Sequence, residues 1–237
     1  DITLTAGGKL LVESGSHDEY NYALIGHGGF SSDGVHSGDI DVTAGNGVEI
    51  LAGTGANGLF AQIGHLSYSS INRIDGDVRV TVEDGGVLLK GGGSTAGYAA
   101  IGSGGYNVTG GSSLSGGTYV TLKGADGLAM EAGDGNHAAA HIGHLAQRES
   151  LTTAIDLSGD VEVDVAAGGL TMQSSTLGYF THTMIGHGGR EIAGEKSGDI
   201  RVTVRSGDLS ALAGGVNASL RYNHTQIGHG GYSNGGA

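Results

Sequence analysis

The segment I-G-H-G-G at residues 25–29 returns five times, whole or altered, starting at Ile63, Ile101, Ile142, Ile185 and Ile227. The spacings are 38, 38, 41, 43 and 42 residues. A period between about 20 and 50 residues marks a repeat architecture, in which each unit buries its apolar face only against its neighbours. The chain therefore reads as one array of six units: residues 1–37, 38–75, 76–115, 116–158, 159–197 and 198–237.

Each unit opens on a strand with one buried face. In the second unit Ile40, Val42 and Ala44 alternate with Asp39, Asp41 and Thr43, the period of two that a strand imposes. The same inward set recurs as Ile2/Leu4/Ala6, Val78/Val80/Val82, Thr118/Val120/Leu122, Val161/Val163/Val165 and Ile200/Val202/Val204. A glycine turn leads to a second strand (Val48/Ile50/Ala52, matched by Leu10/Val12, Val87/Leu89, Leu128/Met130/Ala132 and Leu170/Met172), and another to a third that ends in I-G-H. Two residues before each Ile stands a small side chain on the same, inward face: Ala23, Ala61, Ala99, Ala140, Thr183 or Thr225. The segment after the His varies more in length and predicts a protruding loop, as at residues 30–37 and 145–158, all on one edge.

No helical periodicity occurs, so the expected class is all-β. Three short strands plus one loop per coil of about 40 residues predict a parallel β-helix, or β-solenoid, of six coils, on the order of 30 Å long at a strand spacing of about 4.8 Å. A six-bladed propeller shares the period, but its blades require four strands and more aromatic residues. Fifty glycines without a proline suit a chain whose backbone N–H groups sit in sheet ladders. The ends are whole units without a cap, which reads as an excerpt of a longer array or a unit that stacks end to end. Asp1 is in register with Asp39, and Ala237 falls in the last loop.

Two columns of polar residues could carry chemistry. His27, His65, His144, His187 and His229 share one position, with Ser103 in the third unit. Asp39, Asp77, Asp160 and Asp199 follow the opening glycines, with Gly117 as the exception. Ser103 and Gly117 flank the same loop, which predicts His–Asp contacts closing each loop base: His27–Asp39, His65–Asp77, His144–Asp160 and His187–Asp199. The preferred reading is structural, with stacked imidazoles hydrogen-bonded at a corner and carboxylates accepting N–H groups, since a bare column of like charge would repel. Two alternatives stand beside it. One is a divalent cation, Zn²⁺ on His and Asp or Ca²⁺ on carboxylates, although the G-G-x-G-x-D calcium motif is absent from the sequence; the other is a pH switch. Otherwise no cofactor is expected.

Aromatic residues form two shorter columns, Tyr22/Phe60/Tyr98 and Phe30, Tyr68, Tyr106 and Tyr232. Packing is the expected role. A row of rings for stacking sugars is the alternative for the second column. Nothing resembles a catalytic constellation: there is no G-x-S-x-G elbow, and so many glycines make a G-x-G-x-x-G match uninformative. No enzyme is expected.

The formal charge of −13 argues against nucleic acid or anionic lipid as a partner, and no apolar run is long enough for a transmembrane helix. The absence of cysteine excludes disulfides and thiolate chemistry.

S-G-D-I-D-V-T-A at residues 37–44, S-G-D-I-R-V-T-V at 197–204 and Q-I-G-H-G-G at 226–231 give the chain a family likeness. It resembles the repeat region of filamentous-haemagglutinin-like bacterial exoproteins, the large adhesins often exported by two-partner secretion. The likeness covers all six units in repeat style. It implies a right-handed parallel β-helix, extracellular or cell-surface display, and adhesive or matrix-scaffolding work, and it carries over no catalytic residue. The expected function is an extracellular shaft in a surface filament, biofilm fibre or adhesin, associating with itself or with adjoining repeats, and with glycans or other surface components as candidate partners. The alternative is a carbohydrate-binding or polysaccharide-degrading β-helix. Ice binding is disfavoured by outward charges at Asp41, Arg79, Glu162 and Arg201.

Overall fold

A computed structural model of the chain describes residues 1–69, 72–109, 111–147, 154–214 and 222–232. Part of the predicted loop at residues 145–158, and Ala237, lie outside them. Among the described residues every strand pairs in parallel with its counterpart one repeat away, and there is no helix. The molecule is a parallel β-solenoid: six rungs run from Ile2–Ala6 to Ile200–Val204, five complete turns from first to last.

The second coil shows the arrangement. Ile40–Ala44 lies on the first face, Val48–Leu51 on the second and Ala61–Ile63 on the third. Ile40 pairs with Ile2 before it and Val78 after it, so like residues stack on like. Inside these three faces the alternating residues form one core, running from Val12, Ile40 and Ile50 through Ile101 and Met130 to Met172 and Ile185. The expected inward positions are the buried ones because a strand sends every second side chain to the same side.

The predicted loop is corrected by the structure. Its described residues continue the coil as two more strands, Leu66–Tyr68 and Asn72–Asp75 in the second coil, which stack into a fourth face of six strands and a fifth of five. Each full coil therefore has five strands rather than three. These extra faces fold back over the third, so its far side is buried as well. Phe60, Leu66, Tyr98, Ala100, Tyr106 and Leu145 make a second core there, and Ile74, Leu114, Leu157 and Ile192 a third beyond it.

Glycine makes the sharp corner at I-G-H: Gly143 has φ +119°, and a Cβ there would stand 2.2 Å from Gly186 O of the next coil. Only a residue without a side chain permits that approach.

The terminal rungs are open. Core-register residues Leu209 and Ile227 of the last coil are 50% and 41% exposed, against 0% for Ile50 and Ile63 inside the stack. Ile2, Leu4, Leu10 and Ile25 of the first coil are also only partly covered.

Candidate functional site

The histidine column stands at the corner between the third and fourth faces. Its rings stack in parallel, with centroids 5.2 Å apart for His27–His65, 4.6 Å for His144–His187 and 4.9 Å for His187–His229. Each coil uses the next coil's ring as an acceptor. The backbone N–H of His27 donates to His65 Nδ1 (3.1 Å), that of His144 to His187 Nδ1 (3.0 Å), and that of His187 to His229 Nδ1 (3.0 Å). The opposite nitrogen donates to the opening glycine of the same coil: His65 Nε2–H to Gly38 O (2.9 Å), His187 to Gly159 O (2.7 Å) and His229 to Gly198 O (2.9 Å). These partners require the neutral ring with its proton on Nε2.

Ser103 fills the gap by analogy. Its Oγ accepts the His65 N–H at 3.2 Å, the bond that an imidazole Nδ1 would otherwise accept. On the next rung His144 Nε2–H reaches Ser158 O (3.2 Å) as well as the opening Gly116 carbonyl, and His144 Nδ1 has no partner among the described residues.

The aspartates build a parallel ladder. Asp39 Oδ1 accepts the N–H of Asp77 (3.0 Å), Asp77 Oδ1 that of Gly117 (2.7 Å), and Asp160 Oδ1 that of Asp199 (2.9 Å). Asp1 does the same for Asp39 at 3.0 Å. Arg79 pairs with Asp39, Asp41 and Asp77, relieving the like charges. The Asp77 bond and Arg79 hold the Asp39 carboxyl below its ordinary range.

The expected His–Asp pairs are thus corrected. Among the described residues no hydrogen bond or ion pair joins His27 to Asp39, His65 to Asp77, His144 to Asp160 or His187 to Asp199. The ring bonds the carbonyl beside the aspartate's position, and the carboxylate bonds along the stack. Both columns are interlocks between coils.

A second histidine cluster went unseen in the sequence. His141, His182 and His224 lie on the far side of the third face, the first two buried under the fourth and His224 partly buried: His182 and His224 stack at 5.1 Å, and His141 meets His182 edge-on at 5.7 Å. His141 Nε2–H donates to Gly186 O at 2.9 Å. The pairing register extends the Tyr22/Phe60/Tyr98 column through Ala139 to His182 and His224. That continuity was the available signal.

Burial lowers these imidazoles' proton affinity, because the interior penalises the charged form. His144 falls to about 4, His141 to about 3 and His187 to about 2, and His182 falls well below its ordinary value. His65 and His224 shift the same way, each chiefly through burial. Nδ1 and Nε2 of His65, His187 and His229 are already occupied by backbone groups, so a metal would have to displace ladder bonds. Among the described residues no three His, Asp or Glu side chains are grouped to hold an ion.

Of the proposed sugar-stacking rings, Tyr68 (4% exposed) and Tyr106 (9%) are core residues whose faces are covered. Phe30 is 38% exposed, and Tyr232 packs against Tyr222 at 4.2 Å. The rings join a further column that sequence reading missed, Tyr20, Gly58, Ala96, His137, Phe180 and Tyr222, each at positive φ. Arg190 lies 3.9 Å over the Phe180 ring, and its Nη2–H donates to Glu191 Oε1 at 2.7 Å. Elsewhere Glu131 and Asp134, both of the fourth coil, line a surface depression with Gln173, Ser174 and Ser175. The Asp134 carboxylate accepts from Ser175 Oγ at 2.7 Å.

What these features define is a parallel β-solenoid whose polar ladders join coil to coil. Comparison with protein-family models, with curated proteins and with solved structures found no match.

Proposed function

We propose that the chain is a structural shaft, displayed outside a bacterial cell in a large adhesin, a surface filament or a biofilm-matrix fibre. The observation that carries this reading is the unbroken register: equivalent positions pair through successive coils on the first, second and third faces. Histidine, aspartate and aromatic ladders are spent on holding coils together. Such a molecule transmits position along its axis, which suits spacing or display. Extracellular placement and right-handed winding rest on the resemblance in repeat style to filamentous-haemagglutinin-like exoproteins. No catalytic role is proposed.

The open terminal rungs support association in line. A further coil in the same register would bury Leu209 and Ile227 at one end or Ile2, Leu4 and Ile25 at the other, and would satisfy the unpaired edge groups. That coil belongs either to adjoining repeats or to a second copy. Negative-stain electron microscopy of these 237 residues, with mass from light scattering, separates the two. Fibres of uniform width support self-stacking, and monodisperse rods refute it and leave adjoining repeats as the partner. Saturable binding of a soluble polysaccharide by the rods would displace the shaft reading in favour of the carbohydrate-binding alternative.

A further inference from the structure

We infer that the histidines of coils four to six form an acid-opened zipper: in mildly acidic solution this half of the solenoid loosens while coils one to three stay wound. The asymmetry is in the placement. Coils four to six hold His141, His144, His182, His187, His224 and His229 in two adjoining stacks, with centroids 4.6 to 5.7 Å apart between neighbours. Coils one to three hold a single stacked pair, His27 and His65, at the end and beside it. His17 and His36 stand outside it.

A proton and the ladder compete for the same lone pair. Nδ1 of His187 accepts the backbone N–H of His144 in the preceding coil, so protonation there sets donor against donor. The second charge then arrives within about 5 Å of the first, in a site with little water to screen it.

The surrounding groups compensate little. His144 faces His65 and Asp77, and that carboxylate already accepts the Gly117 N–H and pairs with Arg79. His187 faces His144, His229 and His141. His182 faces His224, His141 and His137, beyond which Arg190 adds positive charge. His224 meets the Tyr222 carbonyl.

The direction follows from linkage. A histidine whose folded-state affinity for protons lies below the ordinary value near 6.5 stabilises the fold fully above that pH, and loses the contribution as pH falls towards its folded value. For His141 and His144 the window runs from about 6.5 down to about 3 and about 4. Each such ring lowers the folding constant about tenfold per pH unit, or about 100-fold between pH 6.5 and 4.5. Asp39, held below its ordinary value of 3.8, remains ionised throughout that range.

The test is hydrogen exchange read by mass spectrometry on the whole chain, at about pH 7 and about pH 4.5, corrected for intrinsic exchange rates. Peptides covering Val161–Val165 and His182–Ile185 are expected to lose protection at least about 100-fold more than those covering Ile40–Ala44 and Val48–Leu51. Equal loss in both halves, or none, overturns the inference. His187→Ser keeps an acceptor of the kind Ser103 supplies but cannot titrate. It should lower the slope of the logarithm of the folding constant against pH by about one between pH 6.5 and 4.5, and an unchanged slope counts against the zipper. Should that variant fail to fold at neutral pH, imidazole ¹⁵N shifts of the wild-type chain decide. Neutral Nε2–H rings in coils four to six at about pH 5.5 support the zipper, and charged rings in an intact fold refute it.

Discussion

Removing one ladder ring gives a cost that can be worked from its contacts. His187 is fully buried, accepts the His144 N–H at 3.0 Å and donates to Gly159 O at 2.7 Å. His187→Ala orphans one buried donor and one partly buried acceptor, at about 1–3 kcal/mol each. Loss of the stacked ring between His144 and His229 adds about 1 kcal/mol or more of packing. The sum is about 3–7 kcal/mol, a large part of the 5–15 kcal/mol that a domain typically has. His187→Ser should be milder by about 1–2 kcal/mol, because a serine hydroxyl can take the N–H as Ser103 takes that of His65 at 3.2 Å. His27→Ala should cost under about 1 kcal/mol, since its ring carries no hydrogen bond among the described residues and lies in the open first coil. Urea unfolding followed by far-ultraviolet circular dichroism at neutral pH measures all three. Equal costs for the alanine and serine variants at position 187, or a cost for His27→Ala matching that of His187→Ala, would refute the interlock.

Three other outcomes follow from the same structure. His65→Ala and Asp77→Ala should destabilise additively within about 0.5 kcal/mol, and a coupling above about 1 kcal/mol would restore the direct pair that the structure rejects. Gly143→Ala, at φ +119° with Gly186 O 2.2 Å from the added Cβ, should cost more than about 3 kcal/mol, whereas Gly7→Ala, with nothing within 4 Å, should stay within about 0.5 kcal/mol; thermal unfolding of the two variants checks this. Phe60→Ala should cost about 3–5 kcal/mol, because its fully buried ring stacks on Tyr22, Tyr68 and Tyr98 at 5.0, 5.3 and 4.8 Å. A denaturation midpoint within error of wild type would show that the second core is not formed in solution.

The sequence by itself determined the repeat, the parallel stacking and the inward residues of three faces. Those follow from local rules: a period of two sends Val78, Val80 and Val82 to one side, and a repeat of about 40 residues leaves equivalent strands only each other to pair with. The columns His65/His144/His187 and Asp39/Asp77 were legible for the same reason, as positions. Their partners were not. The ring of His187 bonds Gly159 in its own coil and His144 in the preceding one, 28 and 43 residues away, and adjacency in sequence had suggested Asp199 instead.

Tertiary structure alone decided that the supposed loop is part of the coil. Gly104–Tyr106 and Leu66–Tyr68 are three residues long, too short to display an alternation, and they become strands only because the neighbouring coils offer a ladder to join. Once they fold over the third face, Tyr68 and Tyr106 are core residues instead of a sugar platform, and His141 and His182 lie in an interior that keeps them neutral. Side-chain direction is local, whereas burial depends on what the rest of the chain lays on top.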